Sequence, residues 1–483
     1  MHLSVVSKIL GVLLMLFSML AYLPSMLVSL LYSDGELSSF GAALFITFST
    51  GFILWLLTWR AAKVLRTRDG FLIVTLFWSV LGTFGSLPFY FSAELPLSIT
   101  DAVFESISGL STTGATVIVG LESLPKSLLF YRAQLQWLGG MGIVALAVAV
   151  LPMLGIGGMQ LYRAESPGPV KNDNLVPRLA ETAKALWYIY LALTGACALA
   201  YWAAGMSFFD AICHSFATVA IGGFSNYDAS LGHFDSATIS LIATVFMVIA
   251  GGNFALHFTA WRMHSVRQYL RDPEFKFYLT ILIVLSAATS IVLYTSDTYS
   301  GFDSLVHGIF QSVSIATTTG FTTEDFSHWP SFLPYVLIYA SIVGACAGST
   351  GGGMKVIRIL LILKQGLREV QRLIHPNSII PIKLGNTLVP DRIIESVWGF
   401  FAVYVMVFLA LLLALLTTGL DVVTAFSAVG AAINNLGPGL EGVSQNYSLL
   451  SDPAKWILCF AMLLGRLEIF TLLVLFLPMF WRR

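Results

Sequence analysis

The sequence predicts an all-α integral membrane protein made of four span–loop–span repeats behind a two-span N-terminal leader. The chain is 57% hydrophobic and only 11% charged, with a mean hydropathy of +0.82 over 483 residues. Soluble globular domains do not have this composition. Long apolar runs recur along the whole chain, and a short apolar segment followed by small residues occurs between several of them. The composition therefore places the chain in a bilayer.

Ten apolar runs are long enough to cross a membrane, since a span needs about 20 largely apolar residues. They cover about 4–31, 40–59, 71–92, 131–154, 184–205, 236–260, 277–295, 331–347, 390–418 and 453–480. The first run is too long for the core of a signal peptide, so we expect it to remain as a membrane helix. Shorter apolar segments lie near 101–112, 208–220, 304–317 and 421–434. These predict re-entrant half-helices rather than spans.

Lysine and arginine are unevenly distributed among the connections, which predicts the orientation of the chain. The basic connections carry Arg60, Lys63, Arg66, Arg68, Arg163, Lys171, Arg178, Arg262, Arg267, Arg271 and Lys276. The most basic connection, 355–392, carries Lys355, Arg358, Lys364, Arg368, Arg372, Lys383 and Arg392. Intervening connections such as 33–39 contain few basic residues. We therefore expect both termini in the cytoplasm.

A common pattern follows each short segment, and internal repeats are sought before single motifs. The four stretches are Ser111-Thr112-Thr113-Gly114-Ala115-Thr116, Ala220-Ile221-Gly222-Gly223-Phe224-Ser225, Thr318-Thr319-Gly320-Phe321-Thr322 and Asn434-Asn435-Leu436-Gly437-Pro438-Gly439. The second is ambiguous between Gly222 and Gly223, and its Phe224-Ser225 favours Gly223. A step of 28 residues from Gly223, Gly320 and Gly437 reaches Gly251, Gly348 and Gly465, while Gly139-Gly140 lies at nearly this distance from Gly114.

These repeats divide the chain into five parts. We predict a leader over 1–68 and four repeats over 69–160, 161–272, 273–375 and 376–483.

The four loops contain the residues expected to bind an ion. Non-helical backbone at membrane depth is tolerated where protein buries it or where it lines a watery cavity. Half-helices that point their carbonyl ends at such a cavity favour cations, and loop carbonyls can replace the hydration shell of an ion. No acidic residue adjoins the glycines, so backbone carbonyls are the expected ligands. The candidate filter residues are Thr112, Thr113, Gly114, Ile221, Gly222, Gly223, Thr318, Thr319, Gly320, Asn435, Leu436 and Gly437.

The leader and the four glycine-containing loops resemble the Trk/Ktr/HKT superfamily of potassium transporters, and within it the bacterial TrkH subunits, over essentially the whole chain. The resemblance implies a pseudo-fourfold pore, uptake of potassium as substrate, and a homodimer in the bacterial inner membrane. It also implies a cytoplasmic ring of TrkA-like regulatory subunits, which would carry the nucleotide, ATP/ADP or NAD; no covalent cofactor is expected on this chain. Only one glycine per loop matches the TVGYG signature of potassium channels, so discrimination against sodium is expected to be weaker.

A glycine-rich stretch, 344–353, interrupts the second span of the third repeat. Each glycine costs a helix interior about 1 kcal/mol relative to alanine, which predicts an unwound helix. The resemblance implies an intramembrane gate formed by Gly344, Gly348, Ser349, Thr350, Gly351, Gly352, Gly353 and Arg466. A flexible packing stretch is the competing interpretation.

Four polar residues lie within apolar segments, where charges normally face a bundle interior or an aqueous cavity: Glu105, Asn253, Arg466 and Glu468. The resemblance places Arg466 beside the gate, where it would repel an entering cation or bind carbonyls of the gate; a structural ion pair with Glu468 is the competing interpretation. Glu105 is expected to hydrogen-bond loop amides rather than the ion. Asn253 is a candidate lining residue of the lower pore.

Alternative functions remain open at the level of the sequence. The pore could conduct sodium or ammonium, or the chain could be a proton- or sodium-coupled symporter. A membrane-embedded enzyme or a sensor is disfavoured, because the four cysteines and eight histidines form no catalytic or metal-binding pattern.

Overall fold

The fold is described from a computed structural model that covers residues 2–61, 67–149, 175–330 and 332–482. Several predictions fall on other residues. Lys63, Arg66, Arg163 and Lys171, the boundary at 160/161 and the end of the predicted span 131–154 all lie outside the described residues.

Long helices form the residues predicted as the N-terminal leader and the start of the first predicted repeat. Helix α1 (Leu3–Tyr32) and α2 (Leu37–Thr58) are joined by a tight turn, and α3 (Thr67–Phe84) leads into the short α4 (Leu87–Phe91). The turn between α1 and α2 is tied to the first repeat, because Asp34 Oδ2 accepts a hydrogen bond from the backbone N–H of Ser127 at 2.8 Å. The leader is thus attached to the rest of the bundle at its turn.

The remaining elements follow in chain order. They are α5 (Ile99–Leu110), α6 (Lys126–Ala149), α7 (Leu175–Ala203), α8 (Phe208–Val219), α9 (Ala237–Ala250), α10 (Phe254–Arg262), α11 (Arg267–Arg271), α12 (Pro273–Thr295), α13 (Gly301–Ala316), α14 (Leu333–Val343), α15 (Val356–Ile374), β1 (Lys383–Leu384), β2 (Thr387–Leu388), α16 (Asp391–Leu416), α17 (Val422–Ile433), α18 (Asp452–Arg466), α19 (Phe470–Leu473) and α20 (Pro478–Trp481). The fold is helical and membrane-spanning, and the antiparallel pair β1–β2 is a small departure from an all-α chain.

Six helices are long and apolar enough to cross a membrane within the described ranges. Two bent helix pairs raise this number to at most eight. Two of the predicted spans, 236–260 and 453–480, are bent: α9 and α10 meet at 89°, and the helical segments on either side of 467–469 meet at 108°. Backbone with positive φ at Glu468 and Ile469 produces the second bend. The count of ten spans and the five-part division remain predictions.

The four short segments form helices close to their predicted positions. They are α5, α8, α13 and α17, and we call them the short helices. Three begin at a side chain that caps a backbone amide: Ser98 accepts from Asp101 N, Ser207 from Asp210 N and Asp421 from Thr424 N. Such caps satisfy amides that the first turn leaves without a partner.

The core surrounds the short helices, whose residues are almost all buried over their second halves. One apolar cluster joins the leader to α5, α16 and α18, and another joins α7, α9, α12 and α13. The short helices therefore lie inside the bundle, where their C-terminal ends can meet.

Candidate functional site

Each short helix is followed by a loop with the same unusual backbone. We call these stretches the first (111–116), second (220–225), third (317–322) and fourth (434–439) loops. Each loop has positive φ at two positions separated by one residue: Thr112 and Gly114, Ile221 and Gly223, Thr318 and Gly320, Asn435 and Gly437. Gly222 is not among the positive-φ residues. The geometry therefore aligns Gly223, rather than Gly222, with the glycines of the other loops.

The four glycines contact one another in a closed order. A Cβ atom on Gly114 would overlap the carbonyl oxygen of Gly222, one on Gly223 that of Thr319, and one on Gly320 that of Leu436. A Cβ on Gly437 would lie 2.7 Å from Thr113 O, which closes the order from the fourth loop to the first. Each glycine thus lies against the carbonyl that precedes the next glycine. Only glycine fits this close approach at positive φ.

We call the four glycines and the carbonyl groups that they contact the ring. The carbonyl oxygens of its residues differ in their hydrogen bonding. Among the described residues, no donor bonds to the carbonyl oxygen of Thr113, Thr319 or Leu436. Gly222 O, in contrast, accepts from Gln136 Nε2 at 2.6 Å, and Gly437 O accepts from Tyr447 Oη at 2.7 Å. The ring therefore combines free carbonyls with carbonyls held by side chains.

A cavity of about 420 Å³ opens on one side of the ring, and residues of all four loops line it, including the four positive-φ glycines. The acidic residues Asp228, Glu324 and Asp325 also line it. Negative charge around a concave opening raises the local concentration of cations. The ring can thus be reached from a space that attracts cations.

Glu105 hydrogen-bonds the first loop, as the sequence predicted. Its Oε2 accepts from the backbone N–H of Val117 at 3.0 Å, and both carboxylate oxygens lie 3.0 Å from Thr116 Oγ1. Its Oε1 also accepts from Arg132 Nε at 2.8 Å, and both side chains of this ion pair are at most 1% exposed. Glu105 is thus fully engaged behind the loop.

The glycine-rich segment 344–353 is not helical, which confirms the predicted unwinding. Helix α14 ends at Val343 and α15 begins at Val356. The segment lies against the C-terminal ends of three short helices: Thr350 Oγ1 donates to Val219 O, Gly352 N to Thr318 Oγ1, and Gly353 N to Asn434 O. Ala347 N also donates to Glu274 Oε1 at 2.6 Å. The segment is thus held in place by side chains and carbonyls from several repeats.

Arg466 contacts this segment directly. Its Nη1 donates to Thr350 O at 3.1 Å, and its guanidinium lies 5.6 Å from the ring centre of Trp78. Glu468 pairs instead with Arg358, at 2.6 Å. The geometry therefore favours binding of a segment carbonyl over an Arg466–Glu468 ion pair.

Asn253 lies beside the same segment. Its side chain caps α10 by accepting from Ala255 N at 2.9 Å, and a Cβ on Gly348 would lie 3.1 Å from its Oδ1. The side-chain oxygen of Asn253 therefore accepts a hydrogen bond within the fold. The role of Asn253 in lining a pore stays a prediction.

Reasoning from the sequence missed four side chains that hold the site. Arg132 and Gln136 lie on α6, Tyr447 follows the fourth loop, and Lys355 Nζ donates to Gly351 O. Arg132 and Gln136 are polar residues four apart in a mostly apolar helix, which also carries Gln134 on another face. This signal could have found them, since polar residues inside spans normally face the interior of the bundle.

The four cysteines are free and buried. The described ranges contain no group of three or more histidine, cysteine, aspartate or glutamate side chains arranged to hold a metal ion.

The long apolar helices and the convergent re-entrant loops define a polytopic helical membrane protein of the transporter class. The sequence model of the TrkH family, described as a cation transport protein, matches residues 37–483. The chain therefore belongs to the TrkH family of cation transport proteins, as the sequence predicted, and is not an enzyme.

Similar proteins support this assignment over the full length of the chain. The Trk system potassium uptake protein TrkH of Halomonas elongata is 58% identical over 483 residues, with 100% of both chains covered. The protein of the same description in Escherichia coli K12 is 54% identical at the same coverage. The E. coli potassium uptake protein TrkG is 40% identical and covers 100% of this chain and 99% of its own.

A solved structure is also similar. The crystal structure of the potassium transporter TrkH from Vibrio parahaemolyticus has a TM-score of 0.93 and 52% sequence identity, and it covers 100% of both chains.

Proposed function

We propose that this chain takes up potassium through one pore that passes between the four loops. The closed order of contacts among Gly114, Gly223, Gly320 and Gly437 carries the proposal, because it brings one loop of each repeat to a common axis. The relatives named as Trk system potassium uptake proteins support potassium as the substrate. The repeats would then be arranged in pseudo-fourfold symmetry around the pore.

Backbone carbonyls of the loops are the proposed ligands of the ion. The loops begin at the carbonyl ends of the short helices, where the helix dipole is negative. Carbonyl oxygens can replace the hydration shell of a potassium ion. The cavity beside the ring is lined by acidic residues and would supply the ions. The proposed filter comprises Thr112, Thr113, Gly114, Ile221, Gly222, Gly223, Thr318, Thr319, Gly320, Asn435, Leu436 and Gly437.

The segment 344–353 is the proposed gate. It lies against the ends of the short helices, so an ion leaving the ring would meet it on the side opposite the cavity. The bonds of Thr350, Gly352 and Gly353 to three repeats must break for the segment to move. Arg466 adds a fixed positive charge at Thr350. A cation would therefore encounter both a steric and an electrostatic barrier, with Asn253 beside it.

The remaining proposals concern assembly and energy. We expect a homodimer in the bacterial inner membrane with both termini in the cytoplasm, and a TrkA-like ring that binds the regulating nucleotide. The membrane potential would drive uptake, since 100 mV supplies about 2.3 kcal/mol per elementary charge.

Coupled transport with protons or sodium is the main alternative, and a sodium- or ammonium-conducting pore is another. The two candidate proton carriers, Glu105 and Glu468, are each paired with an arginine, Arg132 and Arg358. Each carboxylate therefore has a structural partner, and removing one member of a buried ion pair destabilises the fold. This pairing favours an uncoupled pore.

Reversal potentials test the proposal. The purified full-length chain is reconstituted in vesicles with opposed gradients of potassium, sodium and protons. We expect the reversal potential to follow the potassium gradient, with a smaller response to the sodium gradient and none to the proton gradient. A response to protons, or a response to sodium as large as that to potassium, would instead support coupling or a different ion.

A further inference from the structure

Hydroxyl groups brace two of the four loops from within. In the first loop Ser111 Oγ and Thr113 Oγ1 are 2.7 Å apart, and in the third loop Thr317 Oγ1 and Thr319 Oγ1 are also 2.7 Å apart. Both bridges span the positive-φ residue that precedes the glycine by two positions. Each bridge therefore links the residues on either side of this positive-φ residue.

The fourth loop uses asparagine side chains for the same purpose. Asn434 accepts from Tyr404 Oη at 2.7 Å and donates to Ser341 Oγ at 3.1 Å. Asn435 Nδ2 donates to Thr113 Oγ1 at 2.9 Å, which links the fourth loop to the first. Three loops thus supply their own polar side chains.

The second loop has no such side chains at these positions. Ala220 and Gly222 flank its positive-φ residue, Ile221, and Gly223 follows. A Gly-Gly pair without a side-chain brace has more backbone freedom than the other loops, because glycine loses the most conformational entropy when it is ordered. The second loop therefore needs external support to hold the same geometry.

Helix α6 supplies this support from the first repeat. Gln136 Nε2 donates to Gly222 O at 2.6 Å, and its Oε1 accepts from Phe224 N at 3.0 Å. Arg132, one turn earlier, donates through Nη1 to Ser225 O at 2.9 Å, and its guanidinium lies 4.2 Å from the ring centre of Phe224. Two side chains of one helix face thus bind three residues of the loop.

The fit between Gln136 and the loop is close. A Cβ on Gly222 would overlap the side-chain amide of Gln136 and no other group comes nearer. Gln136 therefore fills the space that a side chain at 222 would occupy. Glu105 fixes the guanidinium of Arg132 from the other side, at 2.8 Å. The side chains of Gln136 and Arg132 are both buried, so their hydrogen bonds do not compete with bulk water.

We propose that Gln136 and Arg132 are positioning residues that set the geometry of the second loop and, with it, the discrimination between potassium and sodium. This inference rests on the proposed function. Neither side chain is among the proposed ligands; Gln136 holds Gly222 and Phe224, the neighbours of Gly223, and Arg132 holds Ser225. Preorganised ligands discriminate better than ligands that can relax around a smaller ion.

Gln136→Leu tests the proposal, because leucine has a similar size but cannot bond to either Gly222 O or Phe224 N. We expect the potassium-to-sodium permeability ratio to fall by about tenfold, as for the loss of about 1.4 kcal/mol of discrimination. Gln136→Met, with a more flexible side chain, should have the same effect if the leucine variant folds poorly. Arg132→Lys keeps a charge beside Glu105 but cannot reach Ser225 O at the same time, and it should lower the ratio less.

Gln134→Leu is the matched control. Gln134 lies on another face of α6, is also buried, and makes two hydrogen bonds, donating to Leu20 O at 2.7 Å and accepting from Ser25 Oγ at 3.1 Å. It touches the leader and not the loops, so its loss should leave the permeability ratio unchanged. Equal ratios in the Gln136 and Gln134 variants would overturn the inference.

A rescue separates positioning from general stability. Gln136→Ala vacates the space beside Gly222, and Ala220→Ser with Gly222→Thr adds the two hydroxyls that brace the first and third loops. We expect this triple variant to recover part of the ratio that Gln136→Ala loses.

All ratios are measured in vesicles beside the unmodified chain. If the unmodified chain carried no potassium current, the proposed function would fail. If the unmodified chain carried a potassium current and Gln136→Leu had the same permeability ratio, only this inference would fail.

Discussion

Single residues decide how closely the four loops approach each other. At Gly320 a positive φ and a neighbouring carbonyl act together: φ is +83°, and a Cβ would overlap Leu436 O. A larger residue would have to push the third loop away from the fourth. The distance between the third and fourth loops therefore depends on the absence of a Cβ atom at position 320.

Gly320→Ser is expected to lower the potassium-to-sodium permeability ratio by about tenfold, because the displaced carbonyl no longer matches a dehydrated potassium ion. The ratio is measured from reversal potentials in vesicles. Gly35→Ser is the control, since Gly35 has the same φ of +83° but no atom within 4 Å of an added Cβ. A wild-type ratio in Gly320→Ser would show that the glycine is not part of the filter.

At the scale of elements, the segment 344–353 separates two helices that would otherwise form one span. Its contacts to the ends of α8, α13 and α17 are mostly single hydrogen bonds, each worth about 0.5–1.5 kcal/mol. A small number of such bonds can hold a segment closed and still allow it to open. A regulated gate needs contacts of this strength, which hold it closed but can still be broken.

Thr350→Val is expected to increase potassium flux in the absence of any partner by about fivefold. Valine has the shape of threonine but cannot donate to Val219 O, which Thr350 does at 3.0 Å, so the closed position loses about 1 kcal/mol. Flux is measured in vesicles of the chain alone. Thr244→Val removes a similar hydroxyl bond, to Ser240 O within α9, and should leave flux unchanged. Lower or equal flux in a folded Thr350→Val chain would contradict the role of this bond.

At the scale of the whole molecule, α15 connects the segment to the most basic part of the chain. It begins at Val356, and Leu363, Leu367, Val370 and Ile374 form an exposed apolar stripe along it. Two of the four arginines in the basic connection, Arg368 and Arg372, are not equivalent. Arg368 is buried and bonds Asp391 at 2.8 Å, which ties α15 to α16, whereas Arg372 is 42% exposed.

Arg372→Gln is therefore expected to weaken binding of a TrkA-like subunit without changing thermal stability. Arg368→Gln should instead lower the melting temperature, because it removes the buried guanidinium that ties α15 to α16. Binding is measured by titrating the purified subunit onto the reconstituted chain. Arg271→Gln, an exposed basic residue on another connection, serves as the control. Unchanged affinity in Arg372→Gln would exclude this residue from the contact surface.

Much of this architecture follows from the sequence alone. Hydropathy places the chain in a bilayer, and small residues after four short apolar segments locate the loops, because both properties are local. The glycine-rich stretch predicted the break between α14 and α15 for the same reason. The positions of the short helices were predicted within a few residues.

Tertiary structure decided what local patterns cannot contain. The bends after Ala250 and Arg466 depend on packing, and the apolar runs that predicted these two spans do not indicate them. Gln136 and Gly222 lie 86 residues apart, and no property of either residue indicates that they meet. The partner of Glu468 is Arg358, 110 residues away, rather than its near neighbour Arg466. The sequence by itself determined the membrane class, the family and the four loops. Only the folded chain determined which side chains hold those loops, because hydrogen-bond partners distant in sequence are chosen by packing.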